Sequence, residues 1–423
     1  MENEKFAIQG LNGQRTLSGK IPVMGAKNIA PKIFAASVLF KDGLQIDNVP
    51  LINDIENMAG LLRHLGAKTE RVGERSFKLK PVLSLGTDLA DDIAKSFRAS
   101  IVLSGPLLAK EGRVSFSHPG GCVIGERPID VFLESFEKMG AKIAKEGEKY
   151  VITANKLRGA EIVFKIPSVT ATETLLMTAV FVPGTTILHN AACEPEIVAL
   201  AEFLNDSGAQ ITGAGTHTIV IRGVKSLRAK KPFQTPPDRI ETGSLAILAG
   251  VCGKDIEITE CQPEYLKVFL RTLRNTGVNI KETKTSLRIQ APEKLRAIDV
   301  KTHEYPGIPT DLQSPLAVLM TQAEGRSFIF ETVFEGRLNW LNELVRMGAN
   351  ITICDPHRVF INGPTPLRGR ELESPDLRAG LAFMIASLVA RGESIVHNIS
   401  NIDRGYEKIE DRLRTVGAEI KRI

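Results

Sequence analysis

The sequence predicts an α/β protein with two domains, each built from three copies of one β-α-β-α-β-β unit. Three observations support this prediction. A short phrase recurs six times along the 423-residue chain. Patterns typical of helices and strands follow one another in the same order within the copies. A proline-rich segment lies after the third copy, where a break between domains is expected.

The recurring phrase is an apolar, helix-like run that ends in Gly-Ala, or once in Gly-Val, before a β-prone residue. Its glycines are spaced by 68 to 74 residues, which is too regular for chance matches to so short a phrase. Glycine is expected there because a helix that ends in the left-handed conformation favours a residue without a Cβ atom. The six glycines are Gly66, Gly140, Gly208, Gly277, Gly348 and Gly417.

The fifth unit illustrates the predicted order of elements. An apolar helix is predicted over residues 310–322, followed by a strand over 327–331 and an amphipathic helix over 337–347. A strand pair is predicted around Ile351 and Val359. The opening strand of this unit is placed at residues 298–302.

The sixth unit stops at Ile423, after its first closing strand, and therefore lacks the second one. The N-terminal segment Lys5-Phe-Ala-Ile is predicted to supply it. The proline-rich segment over residues 231–237 is predicted to be a hinge. One domain is accordingly predicted over residues 22–236, and the other from residues 1–21 together with 237–423.

Composition and charge exclude several classes of protein. With 43% hydrophobic and 24% charged residues, the chain is expected to form ordinary cores. Its longest apolar stretches are shorter than the roughly 18 residues needed to span a bilayer, and its first residues lack the features of a secretory signal. A net charge of +5 with 5% aromatic residues argues against nucleic-acid binding. We therefore expect a cytoplasmic protein that binds small anions and neither nucleic acid nor membranes.

The five cysteines show neither a C-x-x-C pair nor ligand spacing with histidine, so no disulfide framework and no metal site is predicted. Cys122 differs from the others because it lies in a glycine-rich segment, five residues before Arg127. A nearby positive charge can lower the pKa of a thiol, so Cys122 is a candidate proton donor or nucleophile. The alternative is a surface-loop cysteine without a role.

Polar or charged residues open each of the apolar helices, again about every 70 residues. A charge at the start of a buried helix is costly unless it faces a cleft, and the N–H groups at that end attract anions. The pattern therefore predicts anion binding, although Arg98 or Arg239 alone could simply pair with Asp91 or Asp238. The residues are Lys27, Asn28, Arg98, Ser168, Thr170, Arg239, Thr242, Thr310, Asp311 and Arg378.

Short motifs along essentially the whole chain resemble the enolpyruvyltransferase family, in particular its members that use UDP-N-acetylglucosamine. Each motif is weak alone, but their shared order is specific. They are Gly25–Asn28, Ser96–Ala99, Pro119–Cys122, Arg127–Asp130, Asp238–Gly243, Pro309–Asp311, Glu331–Glu335 with Arg337, Asp376–Arg378 and Asp403–Tyr406.

The resemblance implies a two-domain inside-out α/β barrel with three repeats in each domain and an active site in the cleft between the domains. It implies transfer of the enolpyruvyl group of phosphoenolpyruvate to the 3′-hydroxyl of UDP-N-acetylglucosamine by addition and elimination, with release of phosphate. This is the first committed step of peptidoglycan synthesis in the bacterial cytoplasm. No metal, cofactor or obligate protein partner is implied.

The resemblance also implies roles for individual residues. The catalytic residues would be Cys122, which protonates the methylene carbon, Asp311, which accepts the proton of the sugar hydroxyl, Lys27 and Arg404. Phosphoenolpyruvate would be bound by Lys27, Asn28, Arg98, Arg127, Arg337, Arg378 and Arg404, and Glu335 would help to orient Arg337. UDP-N-acetylglucosamine would contact Asn28, Arg98, Arg127, Pro128, Ile129, Asp130, Ser168, Val169, Thr170, Asp311 and Val333.

Two other functions are compatible with parts of this pattern. The first is 5-enolpyruvylshikimate-3-phosphate synthase, which has the same donor, but its Asn-Ala-Gly-Thr phrase is replaced here by Ser96-Phe-Arg-Ala-Ser, and it has no counterpart of the Cys122 segment. The second is a catalytically silent relative that only binds the nucleotide sugar. Such a protein would be expected to have lost Cys122, Asp311 or the arginine clamp, and all of these are present.

Overall fold

The computed structural model describes residues 4–80, 84–120, 124–125 and 127–423. The chain divides into two compact units. The N-terminal unit comprises the described residues within 25–120 and 127–236, and the C-terminal unit comprises residues 4–24, 124–125 and 237–423. Divisions in the chain thus fall after residues 24 and 236, whereas the sequence-based division was placed after residues 21 and 236. Residues 124–125 also belong to the C-terminal unit, although the sequence placed them in the first domain.

The described strands are short, and each contains between two and eight residues. In chain order they are β1 (Phe6–Gln9), β2 (Leu17–Pro22), β3 (Leu44–Asp47), β4 (Lys68–Arg71), β5 (Phe77–Lys80), β6 (Arg113–Ser117), β7 (Lys142–Glu146), β8 (Lys149–Thr153), β9 (Glu161–Val163), β10 (Thr185–His189), β11 (Gln210–Thr212), β12 (Thr218–Arg222), β13 (Phe233–Gln234), β14 (Gly253–Thr259), β15 (Asn279–Glu282), β16 (Ser286–Gln290), β17 (Leu295–Arg296), β18 (Asp299–Lys301), β19 (Ala323–Phe330), β20 (Asn350–Asp355), β21 (Arg358–Gly363), β22 (Glu371–Glu373), β23 (Glu393–His397) and β24 (Ile420–Arg422).

The described α-helices alternate with these strands, and short 3₁₀ turns precede or follow some of them, as at Arg98–Leu103 and Thr310–Leu312. In chain order the α-helices are α1 (Ala30–Ala36), α2 (Asn53–His64), α3 (Asp91–Ala94), α4 (Ser104–Glu111), α5 (Asp130–Lys138), α6 (Val169–Ala179), α7 (Pro195–Asp206), α8 (Arg239–Cys252), α9 (Lys267–Asn275), α10 (Gln313–Thr321), α11 (Leu341–Arg346), α12 (Leu377–Val389), α13 (Ser400–Asp403) and α14 (Ile409–Arg414).

The described strands form six small sheets, and five of them share one plan. In these, an opening strand runs parallel to its neighbour, which pairs antiparallel with a third strand, and this pairs antiparallel with a fourth. In the sheet β6-β8-β7, the opening segment contributes only an isolated parallel bridge between Asp88 and Ser115. The sheets of the N-terminal unit are β13-β3-β5-β4, β6-β8-β7 and β9-β10-β12-β11. Those of the C-terminal unit are β2-β14-β16-β15, β17-β19-β21-β20 and β22-β23-β1-β24, and β18 also pairs with β19. The predicted α/β class and its six units are therefore confirmed.

The N-terminal strand β1 completes the last sheet. It pairs antiparallel with β24, where Phe6 lies opposite Arg422, and with β23, where Phe6 lies opposite Val396. The backbones of Lys5 and Ile423 exchange two hydrogen bonds of 2.8 and 2.9 Å. The predicted pairing of the N-terminal segment with the sixth unit is confirmed.

Two opening strands come from distant parts of the chain, which the sequence did not reveal. The fourth unit is opened by β2, which runs parallel to β14 with Ile21 opposite Ile258. The first unit is opened by β13, near the end of its own domain, with Phe233 opposite Ile46 of β3. The hydrophobic pattern identifies these segments as strands but does not identify their partners, because side chains of many strands would fit the same sheet edge.

Three helices, α8, α10 and α12, form the centre of the C-terminal unit and pack against one another. Every residue of α8 and α10 is buried, and in α12 only Leu377 is not. A helix that is apolar on all sides must be surrounded by other elements. The strands around it alternate between buried and more exposed positions, as β16 does, and so cover the helices with one face. In the N-terminal unit, α4 packs on α6 in the same way.

The predicted amphipathic helix of the fifth unit is shorter than expected. It begins at Leu341, not at residue 337. Residues 335–340 form turns instead, in which Asn339 N donates to the carbonyl of Gly336 at 3.3 Å and Arg337 N donates to that of Phe334 at 3.2 Å. Arg337 therefore lies in a turn and not in the helix.

The recurring glycines end helices as predicted. At the end of α2, Gly66 has a φ angle of 97°, and Ala67 N donates to the carbonyl of Leu62 at 2.9 Å. This bond across five residues is typical of a Schellman motif. The other five recurring glycines also have positive φ angles, between 95° and 110°.

Alanine substitutions at two glycines of the same helical segment are expected to have opposite effects on stability. A Cβ atom at Gly66 would contact nothing, but its left-handed backbone should make Gly66→Ala destabilising by about 1–2 kcal/mol. Gly60, inside α2, is the matched control, since a Cβ atom there would make an ordinary 3.5 Å contact with Ile93. Gly60→Ala should stabilise by up to about 1 kcal/mol. Urea unfolding followed by circular dichroism measures both, and shifts in the same direction would contradict the assignment.

No helix in the described part of the chain is both long enough and apolar enough to cross a membrane.

Candidate active site

Three of the predicted site residues meet in the C-terminal unit. Asp311 lies in the 3₁₀ turn that precedes α10, and Arg378 is the second residue of α12. Arg337 Nη2 donates to Asp311 Oδ1 at 3.0 Å, and Arg378 Nη2 donates to Asp311 Oδ2 at 2.9 Å. The two arginine side chains are 2% and 5% exposed, whereas that of Asp311 is 26% exposed. The carboxylate is therefore the accessible part of this group, with a guanidinium behind each oxygen.

Arg378 is held from its other side by Tyr406. Its Nη1 donates to the Tyr406 hydroxyl at 2.9 Å, and that hydroxyl lies 3.3 Å from Ser244 Oγ. Burial disfavours the charge of Arg378, but the carboxylates of Asp311 and Asp238 and the Tyr406 hydroxyl outweigh it and leave its pKa above the ordinary value. Burial raises the pKa of Tyr406 as well. Arg378 is thus a permanently charged group in this site.

Arg337 is fixed by contacts along its whole guanidinium. Its Nε donates to Thr310 Oγ1 at 3.3 Å, and its Nη1 lies 3.8 Å from Asp376 Oδ1. The same Asp376 oxygen accepts the backbone N–H groups of Arg378 and Ala379 and so caps α12. The guanidinium also lies 5.4 Å from the Phe334 ring centroid. The Asp376 carboxylate therefore both caps α12 and helps to position the Arg337 guanidinium.

The turn that carries Val333 is stabilised by Glu331, which is fully buried. Glu331 Oε1 accepts the N–H groups of Val333 at 2.8 Å and Phe334 at 3.2 Å. Thr302 stabilises the same turn, because its hydroxyl accepts Thr332 N at 2.9 Å. Val333 thus has a defined backbone position.

Arg404 follows the short helix α13 and is half-buried. The residue before it, Asp403, accepts two hydrogen bonds of 2.9 Å from Arg422. Arg422 also donates to Glu410 Oε1 at 2.7 Å and to Glu4 Oε2 at 3.0 Å, and hydrogen bonds to Asp403, Glu410 and Glu4 raise its pKa above the ordinary value despite partial burial. Arg422 therefore fixes the segment in which Arg404 lies. No motif in the sequence predicted Arg422, which lies in the last described strand, β24.

In the N-terminal unit, Lys27 and Asn28 precede α1. Lys27 Nζ forms an ion pair of 2.7 Å with Asp54, and the carbonyl of Asn28 accepts a hydrogen bond from Lys32 Nζ. Lys32 in turn lies 3.4 Å from Glu173 of α6, which is fully buried. Burial raises the pKa of Glu173 to about 7, although Lys32 opposes this shift. A buried ion pair thus holds the backbone at Asn28 next to α6.

Arg98 does not pair with Asp91, which was the alternative that the sequence left open. Asp91 instead accepts a hydrogen bond of 2.9 Å from Ser117 and lies 3.4 Å from Lys149. Arg98 Nη2 donates to the backbone carbonyl of Arg127 at 2.5 Å and lies 3.4 Å from that of Pro128. Burial, and after it the charge of Arg127, lower the pKa of Arg98 to about 10.

Further predicted contact residues lie at the starts of two helices. Asp130 is the first residue of α5, and Ile129, its N-cap residue, is 2% exposed. Ser168 caps α6, because its Oγ accepts Ala171 N at 3.3 Å, and Val169 and Thr170 form the first turn of that helix. These residues therefore lie where backbone N–H groups concentrate, as the sequence pattern predicted.

Cys122 lies outside the described residues. The segment just after it is described at Ile124 and Gly125. Gly336 N donates to the carbonyl of Ile124 at 2.8 Å, and a Cβ atom at Gly125 would come within 2.5 Å of the Glu335 carboxylate. The structure thus places Glu335 against Gly125, while the described contacts of the Arg337 guanidinium are with Asp311, Thr310, Asp376 and the Phe334 ring.

Three of the other cysteines are poor nucleophiles. Burial raises the pKa of Cys252 to about 12 and that of Cys261 to about 11. Burial, and after it Glu194, also raise the pKa of Cys193. Cys354 is exposed. Within the described residues, no group of three or more His, Cys, Asp or Glu side chains is arranged to hold a metal ion.

A cavity of about 160 Å³ lies away from these residues, at the opposite ends of the central helices. It is lined by Cys252 at the end of α8, Gln322 after α10, Val389 at the end of α12, and Arg15. Asp311 and Arg378 instead lie at the N-terminal ends of α10 and α12, where the helix dipoles favour anions.

Comparison with known proteins shows the family of the chain. A model of the EPSP synthase (3-phosphoshikimate 1-carboxyvinyltransferase) family matches residues 11–413. The chain is 43% identical over 425 residues to UDP-N-acetylglucosamine 1-carboxyvinyltransferase of Acidobacterium capsulatum, covering 99% of this chain and 96% of the relative. It is 42% identical over 419 residues to the protein of the same name from Halothermothrix orenii, covering 99% of each chain.

A solved structure has the same fold. The crystal structure of the enolpyruvyl transferase NikO from Streptomyces tendae aligns with a TM-score of 0.89 and 24% identity, over 100% of this chain and 99% of that one. This likeness establishes the shared fold, and the sequence identities above show the family to which the chain belongs. The chain therefore belongs to the enolpyruvyl transferase family, among the UDP-N-acetylglucosamine 1-carboxyvinyltransferases.

Proposed function

We propose that this chain transfers the enolpyruvyl group of phosphoenolpyruvate to the 3′-hydroxyl of UDP-N-acetylglucosamine and releases phosphate, the first committed step of peptidoglycan synthesis. The observation that carries this proposal is the similarity over 99% of the chain to proteins named for this transfer. The chemistry requires a base for the hydroxyl, an acid for the methylene carbon and fixed positive charge around an intermediate that bears phosphate and carboxylate.

Asp311 is the proposed base. Each of its oxygens already accepts one guanidinium N–H, and a carboxylate oxygen has a second lone-pair direction for the acceptor hydroxyl. The two guanidinium hydrogen bonds limit the rotation of the carboxylate. Since Asp311 is more exposed than either arginine, a hydroxyl can reach it while the guanidinium groups stay in place.

The addition step joins the sugar oxygen to C2 of phosphoenolpyruvate. The hydroxyl proton moves to Asp311, and Cys122 gives a proton to C3, which becomes a methyl group. In the elimination step, C3 returns a proton to the Cys122 thiolate, the bond from C2 to the phosphate oxygen breaks, and phosphate leaves with the proton that Asp311 had accepted. Lys27, Arg127 and Arg404 are the proposed clamp on the phosphate and carboxylate groups, because lysine and the guanidinium fork both suit such anions.

The nucleotide sugar is the proposed ligand of a second set of residues. Arg98 supports this set indirectly, because it donates to the carbonyls of Arg127 and Pro128 and so fixes the segment that leads into α5. The proposed contacts are Asn28, Arg98, Arg127, Pro128, Ile129, Asp130, Ser168, Val169, Thr170, Asp311 and Val333. In phosphoenolpyruvate binding, Asn28, Arg98, Arg337 and Arg378 join the clamp.

The proposed setting is the bacterial cytoplasm, where the chain acts on its two small-molecule substrates. The chemistry requires neither nucleic acid nor a membrane nor a protein partner.

A phosphate-release assay with two acceptors tests the function. With phosphoenolpyruvate and UDP-N-acetylglucosamine, the purified chain should release phosphate, and mass spectrometry should detect the nucleotide sugar with an added enolpyruvyl group. Shikimate 3-phosphate should give no phosphate. Activity with shikimate 3-phosphate alone would assign the chain to its sister activity. Binding of UDP-N-acetylglucosamine without any turnover would indicate a catalytically silent relative.

A further inference from the structure

Glu331 contacts two parts of the proposed site. It follows β19 and is fully buried. One carboxylate oxygen accepts the N–H groups of Val333 and Phe334, at 2.8 and 3.2 Å, and the other accepts the Thr310 hydroxyl at 3.0 Å. The Glu331 backbone is also fixed, because its N–H donates to the carbonyl of His357 at 2.7 Å and its own carbonyl lies 2.8 Å from His357 Nδ1.

The donor and the acceptor of each hydrogen bond between Glu331 and Asp311 are determined by the side chains involved. Arginine cannot accept a hydrogen bond, so Arg337 Nε must donate to Thr310 Oγ1, at 3.3 Å. Thr310 therefore gives its single hydroxyl proton to Glu331, at 3.0 Å. Arg337 Nη2 donates in turn to Asp311, at 3.0 Å. A buried carboxylate thus sets the orientation of the guanidinium that holds the proposed base.

We propose that Glu331 is a positioning residue for the transfer reaction, with two separate effects. Through Thr310 it orients Arg337 on Asp311, and this effect should appear in kcat. Through its hydrogen bonds to the 333–334 backbone it fixes the turn that meets the nucleotide sugar, and this effect should appear in the KM for that substrate. The inference rests on the proposed function, since it assigns Asp311 to the acceptor hydroxyl.

Thr310→Val tests the first effect without altering the turn. Valine has nearly the shape of threonine but no hydroxyl, so Arg337 Nε and one Glu331 oxygen both lose their partner. We expect kcat to fall by about tenfold or more, with the KM values for both substrates close to those of the unaltered chain. Thr310→Ser restores a hydroxyl and should restore most of kcat.

Ser327→Ala is the matched control, because it removes another hydroxyl of the same repeat that accepts an N–H group. Ser327 is fully buried in β19, and its Oγ accepts Ile298 N at 3.2 Å. No side-chain hydrogen bond among the described residues links Ser327 to Asp311. Its melting temperature should fall about as much as that of Thr310→Val, while its kcat should stay unchanged. Equal kcat values in these two variants, or a loss that serine does not rescue, would overturn the inference.

Two substitutions of Glu331 separate its effects. In Glu331→Gln, the amide oxygen can still accept the N–H groups of Val333 and Phe334, but the amide nitrogen faces Thr310 as a donor. This variant should therefore resemble Thr310→Val, with a lower kcat and an almost unchanged KM. Glu331→Ala removes both effects and should also raise the KM for UDP-N-acetylglucosamine but not that for phosphoenolpyruvate.

The result distinguishes this inference from the proposed function. If the unaltered chain releases no phosphate with UDP-N-acetylglucosamine, the proposed function fails. If it does, but Glu331→Gln and Thr310→Val retain its kcat, only the positioning role of Glu331 fails. Thr310→Val keeps the experiment decisive even if a Glu331 variant does not fold.

Discussion

Replacing Asp311 with asparagine is expected to lower kcat by about 100- to 10,000-fold, which is the usual contribution of a general acid or base. Asparagine has the same shape but cannot accept a proton. Its amide group would also face one of the two guanidinium groups, on Arg337 or Arg378, as a donor against a donor. Steady-state phosphate release at saturating concentrations of both substrates measures the loss, and calorimetry should show that UDP-N-acetylglucosamine still binds.

Asp376→Asn is the control for this prediction. Asp376 lies near the same Arg337, at 3.8 Å, and caps α12 through one oxygen, which asparagine retains. The change therefore removes a nearby charge without removing the proposed base, and kcat should fall by less than about tenfold. A similar loss in both variants would mean that local charge, and not proton transfer by Asp311, explains the effect.

The epoxide phosphonate fosfomycin, a mimic of phosphoenolpyruvate, is expected to inactivate the chain irreversibly by alkylating Cys122. Cys122 lies five residues before Arg127 in the sequence, and a positive charge near a thiol favours the reactive thiolate. UDP-N-acetylglucosamine should accelerate the reaction, and mass spectrometry should find a single adduct. The raised pKa values of Cys193, Cys252 and Cys261 make those thiols unreactive by comparison.

Cys122→Asp provides the matching variant. Aspartate can still donate a proton to the methylene carbon but has no sulfur nucleophile, so the variant should remain active and become resistant. An adduct on the exposed Cys354, or continued inactivation of Cys122→Asp, would remove Cys122 from the proposed mechanism.

Most of the repeat architecture could be predicted because its signals are local. The glycine after each amphipathic helix is required by the left-handed conformation of a single residue, and all six have the expected sign of φ. The missing strand of the sixth unit could be predicted because the other units show that a second closing strand is needed there. The pairings of β2 with β14 and of β13 with β3 could not, since they join segments about 190 to 240 residues apart by a register that no local pattern encodes.

The residues of the candidate site could likewise be predicted only where their signal is local in the sequence. Asp311 and Arg378 were found from their positions at helix starts, which is a local signal. Their joint contact, and the roles of Glu331, Lys32 and Arg422, depend on which side chains meet after folding. Arg422 illustrates this most clearly, because its partners Asp403 and Glu410 are 19 and 12 residues away, and Glu4 is 418 residues away.

The strand pairings of the N-terminal segment also determine the order in which the chain can fold during synthesis. The N-terminal unit has all of its strands once β13 has been made, so it can close while the second half is still being translated. The strands β1 and β2 are made first, yet their partners β14 and β24 begin at residues 253 and 420. The edges of both strands therefore stay unpaired until those partners are synthesised, and unpaired strand edges are prone to aggregation. Of the described strands, the last to be synthesised, β24, is therefore the one that pairs with the first, β1.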